Sequence, residues 1–367
     1  MRKEGLWRKG LVQALLILAM ALPSLAAAQP GWAEQVDAWV EPPWADRLKA
    51  RLALLEAGFD GELGVHVRDL DTGARLGWRD GERWYLASLV KLPVAIELMS
   101  RVEAGEMSLE DRLTLLRSDY VDGAGSTNWA PPGSALSLRQ LLESMLIVSD
   151  NTASDMLIRH LGLESVNRRA RQLTRAGGLG PITTLVDVRR HAFANLHPSA
   201  FELNGMDFIE LRKRQDDAAR VAWLRQRLGL APQELLLPSI DAAFRLYYAT
   251  DLNSGRLDAF GDLLEALAQG RALGPEGTAE LLAILTRTTS GERRLKAGLG
   301  RNVHLAHKTG TQHRLACDAG ITTQGQGNDA HRVIIVACAR GELSLARNEQ
   351  ILAAVGRAVW EAGAFEG

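Results

Sequence analysis

The chain has 367 residues, of which 46% are hydrophobic and 24% charged, and its formal net charge is -1. That length holds one large domain or two smaller ones with a sizeable core. The balanced charge excludes the basic surface of a nucleic-acid binder, and two cysteines, Cys317 and Cys338, exclude a zinc-type cysteine cluster.

The first 28 residues read as a signal peptide. Arg2, Lys3, Arg8 and Lys9 form a positive start, Leu11 to Leu22 is an apolar run too short for a comfortable membrane span, and Ala26-Ala27-Ala28 offers a cleavage site. An uncleaved anchor is the alternative. Either way the folded part is expected to be exported to the periplasm, with no stable membrane span after cleavage. Residues 29–43 form a Pro- and Trp-bearing linker, and 44–367 form the catalytic domain.

Ala45 to Leu55 has helical spacing of Leu48, Leu52 and Leu55. Residues 62–84 read as a hairpin, with Leu63, Val65 and Val67 alternating and a turn at Asp71-Thr72-Gly73. Ser88 to about Gln269 is mostly helical pattern. Strands return at Val303–Thr309, Leu315–Thr322 and Arg332–Ala339, with a turn at 325–329, and a final helix runs from Ser344 to Glu361. The fold class is therefore α+β. The simplest packing joins both ends into one antiparallel sheet covered by the terminal helices, a lobe of 44–87 and 270–367. Residues 88–269 make an all-helical lobe, and a ligand cleft is expected between the two.

Within the apolar stretch Tyr85–Ile96, Ser88 and Lys91 stand three residues apart. On a helix that spacing places the lysine amine beside the serine hydroxyl. A hydroxyl is a weak nucleophile until a base takes its proton, and a buried lysine near another cation is driven towards its neutral, basic form. Only seven of the 43 basic residues are lysines, and lysine, unlike arginine, can be deprotonated in a protein. Two further pieces follow. Ser149-Asp150-Asn151 comes after the apolar run Leu141–Val148; it reads as a capping turn or as a proton relay beside an amide that holds a carbonyl. Lys308-Thr309-Gly310-Thr311 lies on a strand, where the lysine can hold a carboxylate and the glycine lets another backbone approach.

Together and in this order, these segments resemble the S-x-x-K, S-D-N and K-T-G set of the penicillin-recognising serine hydrolases, class A β-lactamases in particular. The 61-residue gap between Ser88 and Ser149 is close to class A spacing, and the likeness runs from about Trp44 to the C-terminus. It implies the class A β-lactamase/D,D-peptidase fold, with Ser88 as the acyl-accepting nucleophile, Lys91 in its activation, and Ser149 passing a proton to the leaving nitrogen. Asn151 would position the substrate amide, Lys308 and Thr309 would bind its carboxylate, and the backbone N–H groups of Ser88 and Thr311 would form the oxyanion hole. Lys308 would also favour the neutral form of Lys91.

One departure stands out. Class A enzymes carry E-x-x-L-N, whose glutamate activates the deacylating water. Here Leu203-Asn204 fits the end of that pattern, Ala200 occupies the glutamate position, and Glu202 stands two residues late. If the loop bulges, Glu202 aims at the water; otherwise it is a solvated carboxylate. Residues 205–248 form an insertion whose spacing of Phe208, Val221, Trp223 and Leu224 predicts one or two amphipathic helices, either a surface elaboration or a lid.

Cys317 and Cys338, like Ile321 and Ile334, have equal number sums, so the hairpin places them opposite one another. An oxidised pair is expected, with two buried thiols as the alternative. The histidines show no ligand spacing, so no metal is expected, and Gly177–Pro181 is a turn rather than a phosphate loop. The reading is thus a serine hydrolase opening β-lactam rings without cofactor. A D-Ala-D-Ala peptidase acting on peptidoglycan stem peptides, or a sensor that stays acylated, is the alternative.

Overall fold

The computed structural model describes residues 42–327 and 330–366. The expected signal peptide, nearly all of the linker, and Asn328 and Asp329 of the expected turn lie outside the described residues.

Helix α1 (Pro43–Ala57) opens with proline at its first position, where the missing N–H has no intrahelical partner to lose. Strands β1 (Glu62–Asp69) and β2 (Arg75–Trp78) form the hairpin. After β3 (Trp84–Tyr85) and a 3-10 turn at Ala87–Val90 comes α2 (Lys91–Glu103). The short pair β4 (Arg112–Thr114) and β5 (Ala135–Ser137) leads into α3 (Leu138–Ile147), α4 (Asn151–Leu161), α5 (Leu163–Gln172) and α6 (Leu185–Ala194). The insertion holds three helices rather than the expected one or two: α7 (Gly205–Arg212), α8 (Asp217–Leu228) and α9 (Ile240–Tyr248). Then follow β6 (Ser254–Gly255), α10 (Leu257–Ala268), α11 (Pro275–Thr286) and α12 (Leu295–Gly298). The chain finishes with β7 (Val303–Gln312), β8 (Leu315–Gln324), β9 (His331–Arg340) and α13 (Leu345–Glu361), the last capped by the Ser344 hydroxyl.

The main sheet runs β2-β1-β9-β8-β7, antiparallel throughout, so the two ends of the chain do meet in one sheet. Its centre is β9, whose run from Val333 to Ala339 is buried on both faces. Val333, Ile335, Ala337 and Ala339 share a core with Leu48 and Leu52 of α1 and with Leu352 and Val355 of α13. Ile334, Val336 and Cys338 turn to the other face and join the larger core with Leu89, Leu92 and Phe260. The period of two along one strand thus supplies both hydrophobic layers. The helical layer extends past residue 269, because α11 sends Leu281, Ile284 and Leu285 into that larger core.

The β8–β9 register pairs Cys317 with Cys338 and Ile321 with Ile334, as the number sums predict. The cysteines are joined as a disulfide and are fully buried. The bond closes a loop of sequence separation 21, and its loss is expected to cost about 3 kcal/mol of stability. Alkylation of the unfolded protein should leave the mass unchanged without reductant and add two adducts after reduction. Two adducts without reductant would show free thiols instead.

Candidate active site

The apolar run that holds Ser88 explains how a lysine comes to be buried. Every α2 residue from Lys91 to Met99 is buried. The helix face that inserts Leu92 and Ile96 into the core carries Lys91 in with it. Pro93 falls in the first turn, where its missing N–H costs no intrahelical bond. Ser88 lies one turn earlier on the 3-10 segment, partly exposed, at the wall of a cavity. Ala87 just before it has φ 48°, an uncommon value for a residue with a Cβ.

Inside the protein the Lys91 Nζ donates to the Ser149 carbonyl at 2.7 Å, to Asn151 Oδ1 at 2.7 Å and to Ser149 Oγ at 3.2 Å. Ser149 has φ 61°, a left-handed conformation that turns both its carbonyl and its hydroxyl towards the lysine. Asp150 holds that turn. Its carboxylate accepts from the Ala153 N–H as the cap of α4 and from the Thr127 N–H, both at 2.9 Å. The segment is therefore a capping turn and, by the same geometry, the element that aims Ser149 and Asn151. The glycines of Asp122-Gly123-Ala124-Gly125 let a loop lie on it: a Cβ at Gly123 would strike the Asn151 amide, and one at Gly125 the Asp150 carboxylate. Asn151 Nδ2 donates to the Asp122 carbonyl at 2.7 Å.

Strand β7 closes the other side. The fully buried Lys308 Nζ donates to Ser149 Oγ at 3.0 Å, so the two lysines meet at one hydroxyl. Thr309 Oγ1 and Ser290 Oγ are 2.6 Å apart. A Cβ on Gly310 would lie 2.6 Å from the Leu86 carbonyl and 3.3 Å from the Ser88 nitrogen. Only glycine permits this approach, which sets the Ser88 amide beside Gly310, one residue before exposed Thr311. Buried Arg294 holds the strand, donating to the Gly310 carbonyl at 2.9 Å, the Cys317 carbonyl at 2.8 Å and Thr311 Oγ1 at 2.6 Å.

Burial pushes Lys91 from the usual 10.5 down to about 7, with Arg189 adding to the effect and Asp150 and Asp155 opposing it. Lys308 is held well below the usual lysine range, first by burial and then by Lys91 and Arg294. The expectation that Lys308 acts on Lys91 thus meets the converse, with Arg189 as the cation acting on Lys91. Repulsion between two ammonium groups is mutual, so both describe one fact: the pair resists carrying two charges.

The cavity encloses about 490 Å³ and is lined by Ser88, Ser149, Asn151, Ser290, Thr309 and Thr311, among others. Its opposite wall comes from the insertion, including Phe208, Leu211, Ile240 and Phe244. The insertion is therefore part of the cavity rather than a distant elaboration. Glu202 is not. It ends the short 3-10 turn Pro198–Glu202 with its side chain exposed, and it does not line the cavity. The bulge that would aim it inwards is not formed, because Ala200 and Leu203 on either side are the residues that turn into the core. The acids that do line the cavity are Asp122 and Asp217, ion-paired with Arg189 and Arg220 at 2.7 Å each.

Asp122, Arg189, Ser290 and Arg294 were not legible as site residues. The Gly-rich run 122–125 is a local signal for the first. The others are reached only through tertiary contacts.

A profile described as the beta-lactamase enzyme family matches residues 46–362. A beta-lactamase of Rhodobacter capsulatus is 31% identical over 117 residues; the match covers 32% of this chain and 40% of that protein's length. The beta-lactamase regulatory protein BlaB of Streptomyces cacaoi is 28% identical over 290 residues, covering 76% of this chain and 84% of its own. The crystal structure of a beta lactamase from Xanthomonas campestris superposes with a TM-score of 0.64 at 23% identity, covering 88% of this chain and 99% of the other, a likeness of fold.

The buried lysine has a consequence for stability. A base whose value falls from 10.5 unfolded to about 7 folded binds fewer protons in the folded state. Stability therefore falls as pH drops from about 10.5 to about 7 and levels off below. Lys91→Met removes this dependence. Its melting temperature relative to the parent should rise by roughly 5 °C between pH 10 and pH 7. An equal difference at both pH values would show that Lys91 titrates normally.

Proposed function

The chain belongs to the beta-lactamase enzyme family, and we propose that it is an exported serine hydrolase that opens β-lactam rings through an ester on Ser88. The observation that carries this reading is the convergence of Lys91 and Lys308 on Ser149 Oγ beside the cavity that Ser88 lines. Export rests on the positive and apolar start of the chain, which lies outside the described residues.

In this reading the substrate carboxylate docks at Thr309 and Ser290, with Lys308 supplying charge behind them. That carboxylate favours the protonated form of Lys308, and a protonated Lys308 in turn favours the neutral form of Lys91. Neutral Lys91 takes the Ser88 proton as Oγ attacks the lactam carbonyl. The Ser88 and Thr311 N–H groups receive the oxyanion. Ser149, hydrogen-bonded to both lysines, passes a proton to the ring nitrogen as the C–N bond breaks. Asn151 holds the acyl amide. Hydrolysis of the ester then needs a base for water, and Lys91 is the candidate that stands beside Ser149 with its pKa lowered to about 7.

A second reading is favoured by one observation: Glu202 is outside the cavity, and each lining acid is paired with an arginine. An ester that water attacks slowly would make the protein a penicillin-binding peptidase or a sensor; one relative is described as a regulatory protein.

A mass-spectrometric time course with benzylpenicillin separates these. The parent should gain one covalent adduct, absent in Ser88→Ala. Decay within seconds with ring-opened product supports the hydrolase. Persistence for hours supports the second reading, and a D-Ala-D-Ala peptide then distinguishes peptidase from sensor. No adduct on the parent defeats both.

The rate of adduct formation should also rise with pH. Measured well below saturation, where the free enzyme's groups are reported, its midpoint should lie near the Lys91 value of about 7, because the base must be neutral to act. A rate that is flat from pH 6 to 8 would remove Lys91 from that role.

A further inference from the structure

The hydrogen-bond chain that starts at Lys91 does not stop at Asn151. Asn151 Nδ2 donates to the Asp122 carbonyl, and the Asp122 carboxylate faces two arginines. Arg189 Nε is 2.7 Å from Asp122 Oδ1, and both side chains are 12% exposed, so this pair is fixed in the wall. Arg212 is different. It ends α7, its Nη1 lies 3.8 Å from Asp122 Oδ2, and its side chain is 59% exposed. Asp122 is already committed to Arg189, which leaves Arg212 a loosely held cation at the cavity wall. Arg220, one helix further, lines the cavity with Asp217 as its own partner. The charged side chains of this arm are thus three arginines and two aspartates, a positive excess that Arg212 supplies. Beside the arginines, the insertion also lines the cavity with Phe208, Leu211, Ile240 and Phe244.

A substrate held at Ser88 with its carboxylate towards Thr309 sends its acyl side chain past Asn151, towards Asp122 and this arm. An apolar floor with a loosely held guanidinium on its wall suits a hydrocarbon or aryl group that bears an anion. We infer that the insertion makes the site selective for acyl groups carrying a second carboxylate, with Arg212 as the residue that receives it. The inference rests on the proposed hydrolase reading and adds the substrate class to it. Arg212 is suited to the role because a bidentate guanidinium–carboxylate pair forms without stripping a partner from Arg189.

The test compares rates of adduct formation on Ser88 with benzylpenicillin and with its α-carboxy counterpart, carbenicillin. Their ratio is measured in the parent, Arg212→Met and Arg212→Lys at low and high salt. The parent should favour the carboxylated compound by about tenfold at low salt, and less at high salt. Arg212→Met should bring the ratio close to one, and Arg212→Lys should restore part of it. Using a ratio within each variant cancels any general loss of folded protein, and thermal melts of each variant report folding separately. Adducts with both compounds but an unchanged ratio in Arg212→Met would overturn the inference while leaving the hydrolase reading intact. No adduct with either compound in the parent would overturn the hydrolase reading, and the inference with it.

Discussion

Two buried lysines and one serine hydroxyl set the terms for the rest of this molecule. Lys91 and Lys308 are both fully buried, and their ammonium groups point at the same Ser149 Oγ. Two like charges in a dry site are costly, so the pair resists full protonation. That is a liability for stability and an asset for proton transfer, since it makes an amine basic near neutral pH. The arrangement persists because the surroundings over-determine it. Lys91 is anchored by a carbonyl and an amide oxygen, and Ser149 is locked in a left-handed turn by the Asp150 cap.

The scaffold supports this point from two sides. From the helical side, α2 and α4 bring Lys91 and Asn151 together. From the sheet side, β7 brings Lys308 and the Gly310 backbone. The two sides meet where Gly310 lacks a Cβ, against the carbonyl of Leu86. Arg294 fixes that edge by bonding the carbonyls of Gly310 and Cys317 at once, and Cys317 is tied in turn to β9. The disulfide, the guanidinium and the glycine therefore form one continuous support beneath the strand that faces Ser88.

The parts of this design that were legible in the sequence are those with short-range signatures. The alternation of Leu63, Val65 and Val67 and the constant sum of the cysteine pair each follow from local geometry, and the structure places them accordingly; Ser88 instead precedes the Lys91 helix on a 3-10 turn, and the Lys91 amine bonds Ser149 and Asn151. What was not legible depends on chain segments far apart. Arg189 and Asp122 are separated by 67 residues and Arg294 and Thr311 by 17, and no periodicity announces either pair. Glu202 shows the opposite failure. A carboxylate near the expected position in sequence points to water in the fold, because burial of its neighbours decides its direction.

The segment around Glu202 also shapes the start of the insertion that walls the cavity. Leu203 and Asn204 keep the end of the E-x-x-L-N pattern, but their work here is structural. Leu203 is buried, and the Asn204 side chain accepts from the N–H groups of Met206 and Asp207 at 2.9 and 3.2 Å, capping α7. Gly205 follows because a Cβ there would collide with the Tyr120 carbonyl. The segment thus starts the insertion and presses it onto the loop that leads to Asp122. A buried alanine at position 200 suits that packing, whereas an unpaired buried glutamate would carry a desolvation cost with no compensating partner. The stretch that turns Glu202 to solvent is thus the one that leads into α7, whose last residue, Arg212, stands at the cavity wall 3.8 Å from Asp122.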